Sequence, residues 1–332
     1  MTKILIVTDA WVPQVNGVVT TLQTIISLLH EKGHEVKVIS PDMFHTVPLP
    51  TYPEIKLALL PKRKMARLID DFAPEKVHIA TEGPLGWAAR AICLKRGWRF
   101  STSYHTKFPE YANESVGIPL SLGYRIVKHF HGKSAAMMVA TKSLEEDLKA
   151  RGFTNLVTWT RGVDTNLFNP KCKPALKLKH PVMVYVGRVS VEKNIEAFLD
   201  IDMPGSKLVV GGGPQLEKLK KKYPDVTFTG PKFGEELAAH YCSGDIFVFP
   251  SKTDTFGLVM LEAMACGVPV AAYPVTGPLD VLAGCKSGIM NEDLAQAVKQ
   301  GLDANPKAAR DHALKFSWDA CANIFLTNLA PL

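Results

Sequence analysis

Six cysteines in 332 residues, at positions 93, 172, 242, 266, 285 and 321, are too few and too scattered to staple a fold. None forms a Cys-x-x-Cys pair, so neither a zinc site nor a disulfide framework is indicated, and the usage reads as that of a reducing compartment. Long apolar runs are missing as well: no stretch approaches the ~18–20 residues of a membrane span. The first apolar run, Ile4 to Val7, is short and gives way to Asp9, so no secretory leader is expected. There is no Gly-x-Gly-x-x-Gly after the first strand-like segment, which sets nicotinamide binding aside. The run Gly211-Gly212-Gly213-Pro214 has no Gly-Lys-Ser/Thr behind it, so it is not a nucleoside-triphosphate loop. No nucleic-acid motif and no interleaving of aromatic and basic residues is present, and no nucleic-acid partner is expected.

What is present is ample material for two cores. Hydrophobic residues make up 46% of a length that suits two ordinary domains. The net charge of +7 is uneven: residues 1–168 hold 21 Lys and Arg against 15 Asp and Glu, and residues 169–332 hold 18 against 17. A basic first half can face an anionic membrane or acceptor. Residues 3–8 read as a buried strand and residues 13–17 as a turn. A helix follows with Val18, Leu22, Ile25, Ile26 and Leu29 near the 3.6 period, then a strand at 36–39. This is a βαβ opening for a parallel sheet, and strand–helix alternation continues to the end.

Residues 245–267 carry the clearest chemistry. A buried strand at 245–250 leads into a polar turn, Gly257, and a helix ended by Gly267 and Pro269. A helix starting at the carboxyl end of a strand lies where open α/β sheets bind ligands. Its first amides lack intrahelical partners and sit at the positive end of the dipole, which suits phosphate. Asp254 stands before this helix and Glu262 one turn inside it. Taken alone, the pair would equally serve as a capping Asp and an exposed Glu. Further back, Arg188 and Lys193 follow a strand at 182–186. Two cations at a helix start are disfavoured unless an anion is present, so they too point to phosphate, Arg as a fork and Lys as a point charge. His105 follows a strand at 100–104, and Glu82 follows one at 77–80, both on the ligand side.

The spacing of Asp254 and Glu262, with Phe256-Gly257-Leu258 between them, resembles the E-x7-E element of family 4 retaining glycosyltransferases. Gly187-Arg188 with Lys193-Asn194 resembles that family's G-R-x-x-x-x-K-N phrase, and Arg161-Gly162-Val163-Asp164 with Phe168 the phrase that ends its first domain. The resemblance spans the chain. It implies an α/β protein of the GT-B type, two Rossmann-like β/α/β domains facing across a cleft. Its parts would be an acceptor-binding domain at 1–168, a linker at 169–181, a donor-binding domain at 182–312, and a C-terminal helix in 313–332 crossing back to the first domain.

The same resemblance implies roles. Gly17, Arg188, Lys193, the backbone of Phe256, Gly257, Leu258 and Val259, and Glu262 would hold the nucleotide-sugar donor, with Glu262 on the ribose. Asp254, shorter by one methylene than the family's usual Glu, would contact the sugar. His105 would lie beside the transferred sugar and form the catalytic set with Asp254, Arg188 and Lys193. Glu82, Tyr104 and Lys107 would face the acceptor. The phrases at 82–86, 104–106 and 161–164 look most similar to the sulfoquinovosyl, glucuronosyl and mannosyl transferases, many with lipid acceptors. No cofactor and no metal is implied; Asp200-Ile201-Asp202 imitates a metal motif but sits at a helix end. Two segments, Lys62-Arg63-Lys64 and residues 119–133 with Arg125 and Lys128, are basic and amphipathic. They suit peripheral contact with an anionic membrane or a solvated helix face. The expected partners are a nucleotide sugar and a lipid or saccharide acceptor, and the expected place is the cytoplasmic side of the membrane. A sugar-nucleotide epimerase or hydrolase of the same fold, or a non-catalytic sugar-nucleotide binder, would share most of these residues.

Overall fold

The structure is a computed structural model that describes residues 1–14, 16–49 and 52–332, with backbone alone at 52–54, 111 and 114–116. It comprises two compact units, Met1–Thr160 with Asp319–Leu332, and Arg161–Trp318.

The first unit is built on a six-stranded parallel sheet. Its elements run β1 (Lys3–Val7), α1 (Gly17–Glu31), β2 (Glu35–Ile39), β3 (Thr46–Leu49), β4 (Tyr52–Ala58), α2 (Lys62–Phe72), β5 (Lys76–Ile79), α3 (Pro84–Arg96), β6 (Ser101–Tyr104), α4 (Phe108–Val116), α5 (Leu120–His131), β7 (Ala136–Val139), α6 (Lys142–Ala150) and β8 (Leu156–Thr158). Ile4, Leu5, Ile6 and Val7 are all fully buried, so neither face of β1 meets water. That is why the strand reads as a continuous apolar run rather than an alternation. Helix α1 starts where Asn16 Oδ1 accepts from the Val18 and Val19 amides at 3.0 and 3.1 Å. It buries Leu22, Ile25 and Leu29 on one stripe. Of the turn expected at 13–17, Val15 lies outside the described residues. After β2 the chain forms the antiparallel pair β3–β4, with Pro50 and Thr51 outside the described residues.

The sheet order is β2-β1-β5-β6-β7-β8. The chain leaves β1 in one direction and returns to its other side as β5. The switch point therefore lies at the carboxyl ends of β1 and β5, where Asp9 and Glu82 sit. The last segment of the chain belongs to this unit. The Trp159 indole donates to the Cys321 carbonyl at 3.0 Å, and Phe325 packs on both Trp159 and His78.

The second unit runs β9 (Val182–Val186), α7 (Ile195–Leu199), β10 (Ser206–Val210), α8 (Leu216–Lys222), β11 (Thr227–Phe228), α9 (Gly234–Tyr241), β12 (Ile246–Phe249), α10 (Leu258–Ala265), β13 (Val270–Ala272), α11 (Pro278–Val281), β14 (Gly288–Met290), α12 (Leu294–Gly301), α13 (Pro306–Ala313) and the start of α14 (Trp318–Thr327). Its six parallel strands lie in the order β11-β10-β9-β12-β13-β14, which puts the switch point between β9 and β12.

The boundary expected after residue 168 falls instead at Thr160, and the returning segment begins at Asp319 rather than at 313. The reason is Arg310. Its guanidinium donates to the carbonyls of Thr165 at 2.9 Å and Phe168 at 2.7 Å, and Val163 N–H donates to the Phe316 carbonyl at 3.3 Å. These bonds hold residues 161–168 on the second unit. Among the described residues, no helix is long and apolar enough to cross a membrane.

Candidate functional site

The switch point of the second sheet gathers most of the residues expected to bind a donor. Beyond β9 the chain passes Gly187 and Arg188 into a single 3₁₀ turn, Val191–Lys193, and then Asn194 at φ 52°. Beyond β12 it passes Pro250 and Asp254 to Gly257 and α10. Three side chains stitch these two loops together. Lys193 Nζ meets Asp254 Oδ1 at 2.5 Å, Asn194 Nδ2 donates to the Pro250 carbonyl at 3.1 Å, and Thr253 Oγ1 donates to the Glu192 carbonyl at 3.4 Å. Tyr185, buried at the base of the first loop, donates its hydroxyl to the Arg188 carbonyl at 2.7 Å. Burial, with the charges of Asp254 and Glu192 adding to it, pushes the Tyr185 hydroxyl well above its ordinary range, so it stays a donor.

Gly257 has φ 90° and serves as the N-cap of α10. A Cβ there would lie 2.8 Å from Met260 Cε and 2.9 Å from Phe249 Cζ, so both the backbone angle and the packing require glycine. No side chain caps α10, and its first turn carries no acid. The leading amides of Leu258 and Val259 are thus left to the positive end of the dipole. Another close approach in this loop cluster is at Gly211, where a Cβ would come 1.8 Å from the Gly187 carbonyl oxygen.

Glu262 is half-buried on α10, and Tyr241 at the end of α9 donates to its Oε2 at 2.7 Å. Burial pushes the Glu262 carboxyl up to about 7, with the Tyr241 hydrogen bond pulling the other way. Tyr241 is itself raised well above its ordinary value, by burial first and by the Glu262 charge second. The expected ribose acid is therefore a poised group inside a hydrogen-bonded pair.

In the first unit, the structure brings Glu82 and His105 to the carboxyl ends of β5 and β6. Glu82 Oε1 lies 3.0 Å from His131 Nε2, and His131 Nδ1 lies 2.9 Å from Thr102 Oγ1. His105 is half-buried, its ring 6.0 Å from that of Trp159. Tyr104 does not reach a surface: it is completely buried with Tyr124, Val127 and Leu144, which removes it from contact with an acceptor. The cause is that both faces of β6 are covered: Ser101, Thr102 and Ser103 are buried as well. Lys107 is half-buried at the start of α4. Gly17 opens α1, but the next two amides are already satisfied by Asn16.

Three residues that matter to these sites carry no motif. Asp9 is buried, and its carboxylate accepts from Thr81 Oγ1 at 2.9 Å and from the amides of Leu85 at 2.9 Å and Gly86 at 3.3 Å. It caps α3 from another strand and so holds the 81–86 loop that carries Glu82. Burial raises its carboxyl, while those hydrogen bonds oppose the shift. Tyr241 and His131, which hold Glu262 and Glu82, were equally silent. Only Asp9 left a trace, as an acid directly beyond a buried strand.

The basic segments are exposed as expected. Lys62, Arg63 and Lys64 open α2 without a side-chain cap or an acid in the first turn, and Leu60 just before them is 96% exposed. On α5, Tyr124, Val127, Phe130 and His131 turn inward, while Leu120 joins Leu122 and Ile126 outside beside Arg125 and Lys128. The inward stripe of the 119–133 segment, expected to be amphipathic, thus excludes Leu120. Asp200 accepts from the Tyr223 hydroxyl at 2.5 Å at the end of α7. Among the described residues, no group of three or more His, Cys, Asp or Glu is arranged to hold a metal.

Two parallel six-stranded sheets of this kind make a GT-B fold. A sucrose-phosphate synthase from Thermosynechococcus elongatus superposes with a TM-score of 0.80 at 20% identity, covering 98% of each chain. Family models agree on both parts, Glycosyltransferase Family 4 over residues 15–167 and Glycosyl transferases group 1 over residues 180–304. A GDP-mannose-dependent alpha-mannosyltransferase of Mycolicibacterium smegmatis is 30% identical over 87% of this chain and 84% of its own. A sulfoquinovosyl transferase of Arabidopsis thaliana is 29% identical over 92% of this chain and 69% of its own. The chain belongs to the family 4 glycosyltransferases.

Proposed function

We propose that this chain moves a glycosyl group from a nucleoside-diphosphate sugar to a hydroxyl of a lipid, glycolipid or polysaccharide acceptor, with retention at the anomeric carbon and without a metal. The observation that carries this is the uncapped start of α10, with Lys193 and Asp254 beside it and Glu262 one turn inside it. A diphosphate would take the amides of residues 256–259 and the cations of Arg188 and Lys193. There they would stabilise the charge that develops on the leaving group, where such donors contribute most. Lys193 would pass from Asp254 to phosphate, leaving Asp254 for the sugar hydroxyls. Glu262, steadied by Tyr241, would accept from the ribose. Attack would come on the same face, with the leaving phosphate taking the acceptor's proton and His105 orienting the sugar.

A lipid acceptor is favoured by the cations at the start of α2. Three of them at the positive end of a helix oppose the dipole, and an anionic surface would relieve that cost. Exposed Leu59 and Leu60, and Leu122 and Ile126 on α5, offer apolar insertion beside charge. The enzyme would then work at the inner face of the cytoplasmic membrane.

The test is a panel of donors, GDP-mannose, UDP-glucuronic acid and other UDP-sugars, offered with and without diacylglycerol in anionic vesicles. Nucleoside diphosphate should be released only when acceptor is present, and the product should keep the donor's anomeric configuration by NMR. Release without acceptor would make the chain a hydrolase or epimerase. An inverted product would rule out same-face attack.

A further inference from the structure

Three of the six cysteines, far apart in sequence, converge behind α9 and α10. The carbonyl of Asn169 accepts from the Cys172 amide at 3.3 Å and from the Cys242 thiol at 3.5 Å. The carbonyl of Ala238 accepts from the Cys242 amide at 3.0 Å and lies 4.0 Å from the Cys266 thiol. Cys242 thus stands between the other two, within reach of both thiols. The three are not equivalent. Cys266 is buried at the end of α10, whereas Cys172 and Cys242 are half-buried. Cys172 lies in a turn rather than in a helix, and it lines a cavity of about 400 Å³ with Asn169, Lys171, Lys173, Glu235 and Ala239.

We propose that Cys172 and Cys242 form a thiol modification site, closed by hydroperoxides into a disulfide and reopened by thiols. Cys242 is the attacking sulfur. It is the sulfur with a thiol on either side, and the Cys266 hydrogen bond, aided by Cys172, lowers its thiol against the opposing effect of burial. The Cys242 thiolate attacks hydrogen peroxide: an S–O bond forms, the O–O bond breaks, and the departing hydroxide takes a proton and leaves as water. The Cys172 thiol then attacks that sulfur: the S–S bond forms, the S–O bond breaks, and a second water carries off the hydroxyl and the Cys172 proton. Two thiols and one peroxide give one disulfide and two waters. Cys172 is the resolving partner because it lies in a turn at the surface cavity, whereas Cys266 is buried at the end of α10.

The experiment treats the native chain with hydrogen peroxide, blocks remaining thiols, and maps linkages by mass spectrometry without reduction. The expected result is a Cys172–Cys242 peptide pair that dithiothreitol removes, with Cys93 and Cys321 untouched in the folded protein. In Cys172→Ser and in Cys172→Ala the pair should vanish, and Cys242 should go on to the sulfinic acid, which thiols do not reverse. Cys266→Ser should still form the pair. A Cys242–Cys266 linkage, a linkage between molecules, or Cys242 left reduced while Cys285 oxidises would each overturn the assignment.

Discussion

Replacing Glu262 by Gln separates two effects of opposite sign. The folded carboxyl titrates at about 7 against an ordinary 4.5 because burial penalises its charge. A raised carboxyl pKa means that the folded chain keeps a proton the unfolded chain has already lost. Stability therefore falls as pH rises from the unfolded value through the folded one, and stays low above it. From those two values, the native chain should lose on the order of 2–3 kcal/mol between about pH 5 and about pH 8 on account of this group alone. Glutamine keeps an acceptor for the Tyr241 hydroxyl and carries no charge to bury, so the variant should not show that loss. The melting temperature of the variant should pull ahead of the native chain by about 5–10 °C more at the higher pH than at the lower. Donor binding should move the other way. A carboxylate that accepts from ribose hydroxyls makes a charged hydrogen bond, and losing its charge costs ~1.5–3 kcal/mol, a ten- to hundred-fold weaker dissociation constant. Thermal unfolding of both proteins across pH, with calorimetry of nucleotide-sugar binding, measures the two effects separately. A constant gap between the melting curves would show that burial does not hold that proton. Unchanged donor affinity would remove Glu262 from the ribose.

Four further outcomes follow from the same geometry. Lys193→Ala and Arg188→Ala should each lower turnover ~10²–10³-fold with the fold intact by circular dichroism, as expected for removal of one charge-stabilising donor; near-normal rates in both would sink the diphosphate assignment. Asp254→Asn should cost more in turnover than in donor affinity, because the contact orients the reacting ring, and Asp254→Glu should bring no gain, since steady-state rates report a loop fitted to the shorter acid. Asp9→Ala leaves the Leu85 and Gly86 amides and the Thr81 hydroxyl without their acceptor, so urea unfolding should show a loss of about 1–3 kcal/mol. Flotation with anionic vesicles should bring the protein up and rising salt should release it, since exposed charges are screened beyond ~8–10 Å; equal binding to neutral vesicles would point to a soluble saccharide acceptor.

Much of this protein was legible in order along the chain. The apolar run of β1, the 3.6 period of α1, and the glycine before α10 are local signals, written in residues that touch or nearly touch in sequence. So is the approach of Arg188 and Lys193 to a strand end. These fix element type, and strand–helix alternation then leaves few ways to wind a parallel sheet. The resemblance to family 4 rests on the same short phrases, which is why the family could be read from the sequence.

What the phrases did not contain are the partners. Asp9 caps a helix that begins more than seventy positions later, bonding Leu85 at a separation of 76 residues. Tyr241 meets Glu262 across 21 residues and His131 meets Glu82 across 49. No period or cap signal links such positions, because the sheet order alone decides which loops become neighbours. The same holds for the boundary at Thr160, set by the reach of Arg310 across 145 residues to Thr165. It holds too for Tyr104, which reads as a strand-end residue open to ligand until packing turns it inward. The sequence determined which chemistry lies at the strand ends, since that depends on residue type and local spacing. Only the tertiary structure decided which charges are buried and which hydroxyls hold them, because desolvation and hydrogen bonding depend on what the fold brings alongside.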